Sequence, residues 1–122
     1  MPWQFRNDLP IYTQLMGQLQ QRIVNGALAP GDRLPSVRDL ASEAGVNPNT
    51  MQRALTELER MGLVYSQRTA GRFVTDDEAR IRQLREEMAG DLAKEFLAGM
   101  KQLGFAQGDI LEFIKREGER EG

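Results

Sequence analysis

Residues 36–60 read as two helices joined by a tight turn, and this pair constrains the fold of the whole chain. Ser36 is a helix-capping residue, and Asp39 stands where it completes a capping box, so we expect a helix to begin there. Gly45 ends this helix, because glycine adopts the left-handed conformation of a helix stop without steric cost. The apolar residues between them are spaced to make one buried face: Val37, Leu40, Ala41 and Ala44.

A second helix begins shortly after the first one ends. Asn47 is a capping residue, and Pro48 suits the first helical position, where the amide that proline lacks would have no partner. On a helical wheel the apolar residues fall on one side: Met51, Ala54, Leu55 and Leu58. The opposite side is polar and free of acids: Asn49, Arg53, Thr56 and Arg60, with Gln52 on its flank.

The residue types on this polar side are those that read the major groove of DNA. Arginine pairs with guanine through two hydrogen bonds, asparagine and glutamine pair with adenine in the same way, and threonine contacts a base, a phosphate or a thymine methyl group. An ordinary solvated helix has a similar face, so the interpretation depends on the segment that comes after this helix.

A β-hairpin is predicted directly after the second helix. Residues 63–66 and 72–75 read as two short strands joined by a loop. Arg68 and Arg72 are placed at the tip of this hairpin, and Gly71 lets the backbone come close to a partner. A plain hairpin covering the core would explain the apolar residues but not the two arginines. A helix pair followed by such a hairpin is a winged helix, and the arginines favour nucleic-acid binding.

The residue types that are absent exclude several functions. The 122 residues include no cysteine and no histidine, which removes disulfides, the main ligands of zinc and the usual bases and thiol nucleophiles of catalysis. Asp76 and Asp77 are the best carboxylate pair, but adjacent helix residues do not face each other. No apolar run approaches the ~20 residues that span a bilayer, and the N-terminus lacks the order of a signal peptide. We therefore expect a cytoplasmic protein that is not an enzyme and has no metal or cofactor.

The charge is divided unevenly along the chain, although the net charge is only −2. Residues 1–75 contain eight arginines and no lysine against six acids, a net charge of +2. Residues 76–122 contain eight basic residues against twelve acids, a net charge of −4. Arginine suits phosphate and guanine. The modest excess leaves a second interpretation open, in which the arginines dock an acidic protein partner.

Two segments precede the helix pair. An extended N-terminal segment with Trp3 and Phe5 is predicted to pack on the domain. It is followed by an amphipathic scaffold helix over residues 11–25, with apolar residues at Ile11, Leu15, Leu19 and Ile23. Arg33, in the extended lead into the helix pair, is either a surface charge or a phosphate clamp.

Residues 76–122 predict one long helix that Gly104 ends, a last short helix, and a charged tail over residues 115–122 that we expect to be disordered. Two helices cannot bury such a long apolar stripe by themselves. A second copy of the chain is the expected partner, because closed two-fold dimers are the commonest oligomers; folding back on the winged helix is the alternative. The stripe consists of Ile81, Leu84, Met88, Leu92, Phe96, Met100, Leu103, Ile110, Leu111 and Ile114.

The chain resembles bacterial GntR-type transcriptional regulators of the short YtrA-type subfamily along essentially its whole length. The runs PGDRLPSVRDLA and GVNPNTMQRAL carry the resemblance, together with the two-helix extension in place of a large effector domain. One departure comes after Phe105, where the expected Ser-Pro helix start is missing, so a later start is expected. The resemblance implies DNA contacts from Arg38, Asn47, Asn49, Thr50, Gln52, Arg53, Gly71 and Arg72.

We therefore predict a mainly α chain with a small β-hairpin. A winged helix-turn-helix DNA-binding domain occupies residues 1–75, and a two-helix dimerisation segment with a charged tail occupies residues 76–122. The resemblance implies a homodimeric repressor that binds an inverted repeat, possibly at its own transporter operon. Arg33, Arg38 and Arg68 would contact phosphates. The alternative is a winged-helix protein-interaction module without sequence-specific DNA binding. The sequence identifies no small-molecule effector.

Overall fold

The computed structural model describes residues 2–121, and within that range the chain forms five helices and one antiparallel hairpin. This is the predicted architecture of a winged helix-turn-helix followed by two helices. Within the same range, no helix has both the length and the apolar character that crossing a bilayer requires. The elements are α1 (Ile11–Val24), α2 (Val37–Ala44), α3 (Pro48–Arg60), β1 (Val64–Gln67), β2 (Gly71–Val74), α4 (Glu78–Gln102) and α5 (Gln107–Glu121).

The residues before α1 run along that helix and are held by two of its glutamines. The Gln18 side chain accepts a hydrogen bond from the backbone N–H of Gln4 at 3.3 Å and donates one to its carbonyl at 2.6 Å. The Gln14 side chain forms the same pair with Arg6 at 2.7 and 2.9 Å. Each glutamine amide pairs with a backbone N–H and carbonyl, as a neighbouring strand would. These hydrogen bonds fix the N-terminal segment to α1.

Side-chain and backbone caps define the helix pair as predicted. Ser36 Oγ accepts a hydrogen bond from the Asp39 N–H at 3.1 Å at the start of α2. Gly45 ends that helix with a left-handed φ of 73°. Asn47 Oδ1 accepts from the Asn49 N–H at 2.8 Å, and a proline stands in the first turn of α3. The turn between α2 and α3 is thus fixed by short-range hydrogen bonds.

Helix α3 is the centre of the first half of the chain, since it packs on α1, α2 and β1. The predicted apolar faces of α1 and α3 are almost completely buried. The exception is Ile11 at the start of α1, which is 38% exposed. The buried apolar residues of the three helices are Leu15, Leu19, Ile23, Leu40, Ala41, Ala44, Met51, Ala54, Leu55 and Leu58.

The hairpin is displaced by one residue from its predicted bounds. Its first strand begins at Val64 rather than Leu63, and its second begins at Gly71 rather than Arg72. The register runs from Val64 opposite Val74 to Gln67 opposite Gly71. The connecting turn therefore contains only residues 68–70, because the positive φ of Gly71 lets the chain enter the second strand earlier than predicted.

The extended residues before α2 pair with β2 and anchor it. The Leu34 N–H donates to the Arg72 carbonyl at 2.8 Å, and the Val74 N–H donates to the Asp32 carbonyl at 2.8 Å. Arg33 and Phe73 lie opposite each other as an isolated antiparallel bridge. This pairing holds the hairpin to the segment that leads into the helix pair.

The chain divides into two compact units within α4, between Arg85 and Glu86. Ile81 and Leu84, in the first turns of α4, are buried in the first unit. The Arg85 guanidinium donates to the Val24 carbonyl at 3.0 and 3.3 Å, which ties α4 to the end of α1. The first two turns of α4 therefore belong structurally to the winged helix.

Two expectations for the last helix are wrong. Helix α5 begins at Gln107, soon after Phe105, and not later in the chain. It continues to Glu121, so the tail expected to be disordered is helical as far as the structure describes it, and Gly122 lies outside the described residues. The tail is rich in good helix formers, and Glu117 pairs with Arg120 three positions on at 3.1 Å. These local preferences sustain a helix beyond the apolar stripe.

Replacing Ser36 with alanine is expected to lower the free energy of unfolding by about 0.5–2 kcal/mol, because the Asp39 N–H loses its acceptor. Urea denaturation followed by circular dichroism measures this loss. Ser42→Ala in the same helix is the matched control, since Ser42 is exposed in the helix interior and alanine is the better helix former there. An equal loss in the two variants would show that the Ser36 cap contributes nothing of its own.

Candidate nucleic-acid interface

The side of α3 opposite the core is the surface that the sequence predicts to read bases. Asn49, Gln52 and Arg53 are exposed there, and Thr50 is half-buried. Gln52 Nε2 donates to Thr56 Oγ1 at 3.3 Å, which holds the amide along the helix. Burial of the opposite face fixes which side of α3 points outward, so these polar side chains are presented together.

Asn47 has a structural role as well as its predicted binding role. It is exposed, and its Oδ1 accepts the hydrogen bond that caps α3. The side-chain nitrogen carries two N–H donors, and the cap uses neither of them. Asn47 therefore fixes the start of α3 and still has donors for a phosphate or a base.

Arg60, at the C-terminal end of α3, is paired with an acid. Its Nε donates to the two carboxylate oxygens of Glu57 at 3.0 and 2.9 Å. The hydrogen bond from Arg60 lowers the pKa of the Glu57 carboxyl below its ordinary value. The pairing is therefore fully present above that ordinary pKa and is lost as the pH falls through the lowered value. At neutral pH the charge of Arg60 is largely neutralised.

Arg53 lies against an aromatic ring. Its Cζ is 4.3 Å from the centre of the Tyr12 ring, and Tyr12 is a half-buried residue in the first turn of α1. The sequence pattern of α1 predicts only a scaffold helix and does not single out Tyr12. One feature of the sequence could have singled it out: Tyr12 is an aromatic residue that lies beside the apolar stripe of α1 and not within it.

Arg38 and Arg68 are both exposed and lie outside α3. Arg38 is the second residue of α2, directly after the Ser36 cap. Arg68 lies in the turn of the hairpin, as predicted, whereas Arg72 lies within β2 opposite Ser66 and is half-buried. Arg68 therefore lies at the tip as predicted, and Arg72 lies one residue further into the second strand than predicted.

Arg33 and Gly71 are brought into direct contact. A Cβ atom on Gly71 would lie 3.3 Å from Arg33 Nε, and the Gly71 backbone has a φ of +104°. The guanidinium of Arg33 therefore lies over the backbone at the start of β2. On the neighbouring residue, Arg72 Nε is buried without a hydrogen-bond partner among the residues that the structure describes.

Four of the predicted contact arginines differ from Arg6 and Arg60 in their ion pairs. Arg6 pairs with Asp8 at 2.6 Å, and Arg60 pairs with Glu57. Within residues 2–121, by contrast, no ion pair is formed by Arg33, Arg38, Arg53 or Arg68. Such guanidinium groups are available to neutralise phosphates or to pair with guanine.

The ten residues of the predicted dimerisation stripe fall into three groups. Four are buried within the chain itself: Ile81, Leu84, Met100 and Ile110. Met88 is half-buried. Five are large apolar side chains exposed to solvent: Leu92, Phe96, Leu103, Leu111 and Ile114.

Comparison with known proteins identifies relatives that match most of the chain. The family model described as "Bacterial regulatory proteins, gntR family" matches residues 11–74. The HTH-type transcriptional regulator YhcF of Bacillus subtilis is 39% identical over 92% of this chain and 93% of its own length. The HTH-type transcriptional repressor YtrA of the same organism is 32% identical over 79% of this chain and 78% of its own length. The predicted family is confirmed, and the relatives are named as regulators and not as enzymes.

Solved structures share the fold. A GntR family transcriptional regulator from Listeria monocytogenes has a TM-score of 0.85 and 38% identity, and the match covers 92% of this chain and 98% of that one. The DNA-binding domain of AraR, in complex with operator ORX1, has a TM-score of 0.54 and 27% identity over 62% of this chain and 99% of that one. The predicted winged-helix fold class is confirmed.

Replacing Gly71 with alanine is expected to lower the free energy of unfolding by about 1 kcal/mol or more, because an alanine is strained at a positive φ and its Cβ would crowd Arg33. Thermal unfolding measures this change.

Gly99→Ala is the matched control with the opposite expected sign. Gly99 lies in the interior of α4, is exposed and has no atom within 4 Å of an added Cβ, so alanine should stabilise by about 0.4–1 kcal/mol. If the two variants shifted stability in the same direction, the strain at Gly71 would be contradicted.

Proposed function

Because the chain belongs to the GntR family of bacterial regulatory proteins, we propose that it is a sequence-specific DNA-binding transcriptional regulator. The observation that carries the proposal is the set of exposed arginines without acidic partners on α2, α3 and the hairpin. The operator complex of the AraR domain supports it, because that domain has the same fold. The alternative of a protein-interaction module has no comparable support.

The elements divide the work of DNA binding. Helix α3 would enter the major groove with Asn49, Gln52 and Arg53 toward the base edges, where arginine selects guanine and the amides select adenine. Asn47 and Thr50 open the same helix and would contact the adjacent backbone.

The remaining arginines would set the position of the protein on the duplex. Arg38 at the start of α2 and Arg68 in the hairpin turn are placed to contact phosphates on the two sides of α3. Gly71 lets the backbone of the hairpin approach the minor groove, with Arg33 and Arg72 beside it. These contacts carry affinity and salt dependence and little sequence information.

We further propose that the protein acts as a homodimer on an inverted repeat. Leu92, Leu103 and Leu111 are 67%, 75% and 63% exposed, and a second copy of the same helices would cover them. Two copies of α3 related by a two-fold axis would enter successive major grooves about 34 Å apart.

We propose that the protein acts in the cytoplasm and that it represses transcription. YtrA, a relative over most of the chain, is named as a repressor. The resemblance to its subfamily supports an operator at the promoter of the protein's own operon, which would include a transporter gene.

Selection of the purified protein against fragments of its own genome, at near-physiological salt, tests the proposed function. We expect enrichment of one inverted repeat. The amount of this repeat recovered should fall with Arg38→Ala, which weakens binding to every sequence, and should be unchanged with Arg82→Ala, which removes the same charge from an exposed position of α4. Weak binding with no preferred sequence would favour the protein-interaction module instead.

Arg53→Ala and Arg38→Ala should have different effects on DNA binding. The Arg53 variant should lose about 1–3 kcal/mol on the enriched site and lose discrimination at one base position. The Arg38 variant should weaken binding by a similar factor on all sequences and reduce the salt dependence by about one phosphate contact. Fluorescence anisotropy titrations on the enriched site and on single-base variants distinguish the two roles. Unchanged discrimination with Arg53→Ala would contradict its reading of a base.

Leu92→Glu should weaken the homodimer, because it would bury a charge without a partner in the proposed interface. Sedimentation equilibrium over a range of protein concentrations measures the change. Ala98→Glu introduces the same charge at an exposed position of α4 outside the stripe and should leave the dimer intact. A Leu92→Glu protein that remains dimeric would show that the stripe does not join two copies.

A further inference from the structure

The contact between Arg53 and Tyr12 joins the helix that would read DNA to the first helix of the chain. The Arg53 Cζ lies 4.3 Å from the centre of the Tyr12 ring. Tyr12 is in the first turn of α1, and α1 packs on α3 through the buried side chains of Leu15, Leu19 and Ile23. The ring therefore lies on a helix that packs against α3.

Two arginines stand seven residues apart on α3, and their surroundings differ. Arg60 donates to the carboxylate oxygens of Glu57. Its pKa is raised mainly by that hydrogen bond, and Tyr12 makes a smaller electrostatic contribution. Arg53 has the ring of Tyr12 and no ion pair within residues 2–121. Arg60 is thus held by an acid, whereas Arg53 is held by the ring alone.

We propose that Tyr12 is a positioning residue, which holds the guanidinium of Arg53 in the orientation that meets a base in the major groove. The inference rests on the proposed function, because it assigns α1 a part in the sequence reading done by α3.

The chemistry of the stack explains why a ring suits this task better than an acid. An aromatic ring contacts the flat face of a guanidinium, whereas its five N–H donors point outward in the plane. The donors of Arg53 therefore remain free for the two acceptors of a guanine edge. A carboxylate, such as Glu57 beside Arg60, occupies the donors themselves.

Restricting the Arg53 side chain before DNA binding also favours discrimination between bases. A free arginine loses rotamer freedom when it pairs with a base, and this loss opposes binding. A guanidinium already stacked on Tyr12 has lost part of that freedom in the unbound protein. The stack should therefore strengthen binding where Arg53 meets the correct base and contribute little on other sequences.

The tyrosine hydroxyl offers a competing role, a direct contact to a phosphate. The two roles depend on different parts of the side chain, since the stack needs the ring and a phosphate contact needs the hydroxyl. Tyr12→Phe keeps the ring and removes the hydroxyl, whereas Tyr12→Leu removes both and keeps an apolar side chain. These two variants, with Arg53→Ala and the double variant Tyr12→Leu/Arg53→Ala, separate the roles.

The first measurement is made on the full chain without DNA. The side-chain protons of Arg53 should show ring-current shifts in the NMR spectrum of the wild type and of Tyr12→Phe, and these shifts should be lost in Tyr12→Leu. Thermal unfolding of each variant confirms that it is folded. The absence of ring-current shifts in the folded wild type would overturn the inference without reference to DNA.

The second measurement compares binding to the enriched inverted repeat with binding to the same repeat changed at the base that Arg53→Ala no longer discriminates. We expect Tyr12→Leu to reduce this discrimination by about two- to fivefold, the range of an exposed stack of this kind. Tyr12→Phe should retain it. In the Arg53→Ala background, Tyr12→Leu should have no further effect.

Three results would overturn the positioning role. Unchanged discrimination in Tyr12→Leu would show that the stack has no effect on reading. Weaker binding of Tyr12→Phe on all sequences alike would assign the hydroxyl to a phosphate. An equal loss of affinity for the enriched repeat from Tyr12→Leu with and without Arg53 would show that the two side chains act independently.

A failure of the proposed function itself would look different. The ring-current shifts would be present, but the wild-type protein would prefer no sequence. That result would overturn the role of Arg53 as a base reader, and with it the role of Tyr12, although the stack itself exists. Sequence preference in the wild type, with any of the three results above, would overturn the inference alone.

Discussion

The burial of one face of α3 is the constraint on which the rest of the first unit depends. Met51, Leu55 and Leu58 are at most 1% exposed, and this face packs on α1, α2 and β1 together. Each buried side chain of this size contributes about 1.5–3 kcal/mol. Rotating α3 about its axis would expose that face, so the opposite side has to point outward. The orientation of the polar side chains therefore follows from the core and needs no partner to establish it.

The parts of this fold that depend on neighbouring residues could be predicted from the sequence. The caps at Ser36 and Asn47 and the stop at Gly45 involve atoms at most a few residues apart, so the residue types determine them. The pairing of residues 31–34 with β2 could not be predicted, because it joins segments about forty residues apart and only the packed core sets their register. The end of α5 is predicted too early for another reason. The apolar pattern stops at Ile114, whereas residues that favour a helix continue beyond it.

In the candidate site, too, the sequence identifies the residues but does not identify the groups that each of them contacts. Chemistry alone singles out Arg33, Arg38, Arg53 and Arg68 as groups suited to phosphate and guanine. It does not show that Arg33 covers Gly71 or that Tyr12 stacks on Arg53. Those contacts arise where separate elements cross, and periodicity within one element carries no information about another. Position on the outward side of α3 is therefore predictable from sequence, but side-chain orientation is not.

The partner of each arginine then indicates what that arginine does in this chain. Arg85 donates to a backbone carbonyl and joins two helices, and Arg60 is neutralised by Glu57. Arg38 has neither kind of partner, which leaves its charge for a phosphate. Arg53 is held by a ring that leaves its donors free. Of these four arrangements, only this one restricts the guanidinium and also preserves its capacity for paired hydrogen bonds. Arginine content alone would treat these four residues as equivalent, whereas their contacts distinguish two arginines whose donors are occupied within the chain from two whose donors are free, for which we propose phosphate binding and base reading.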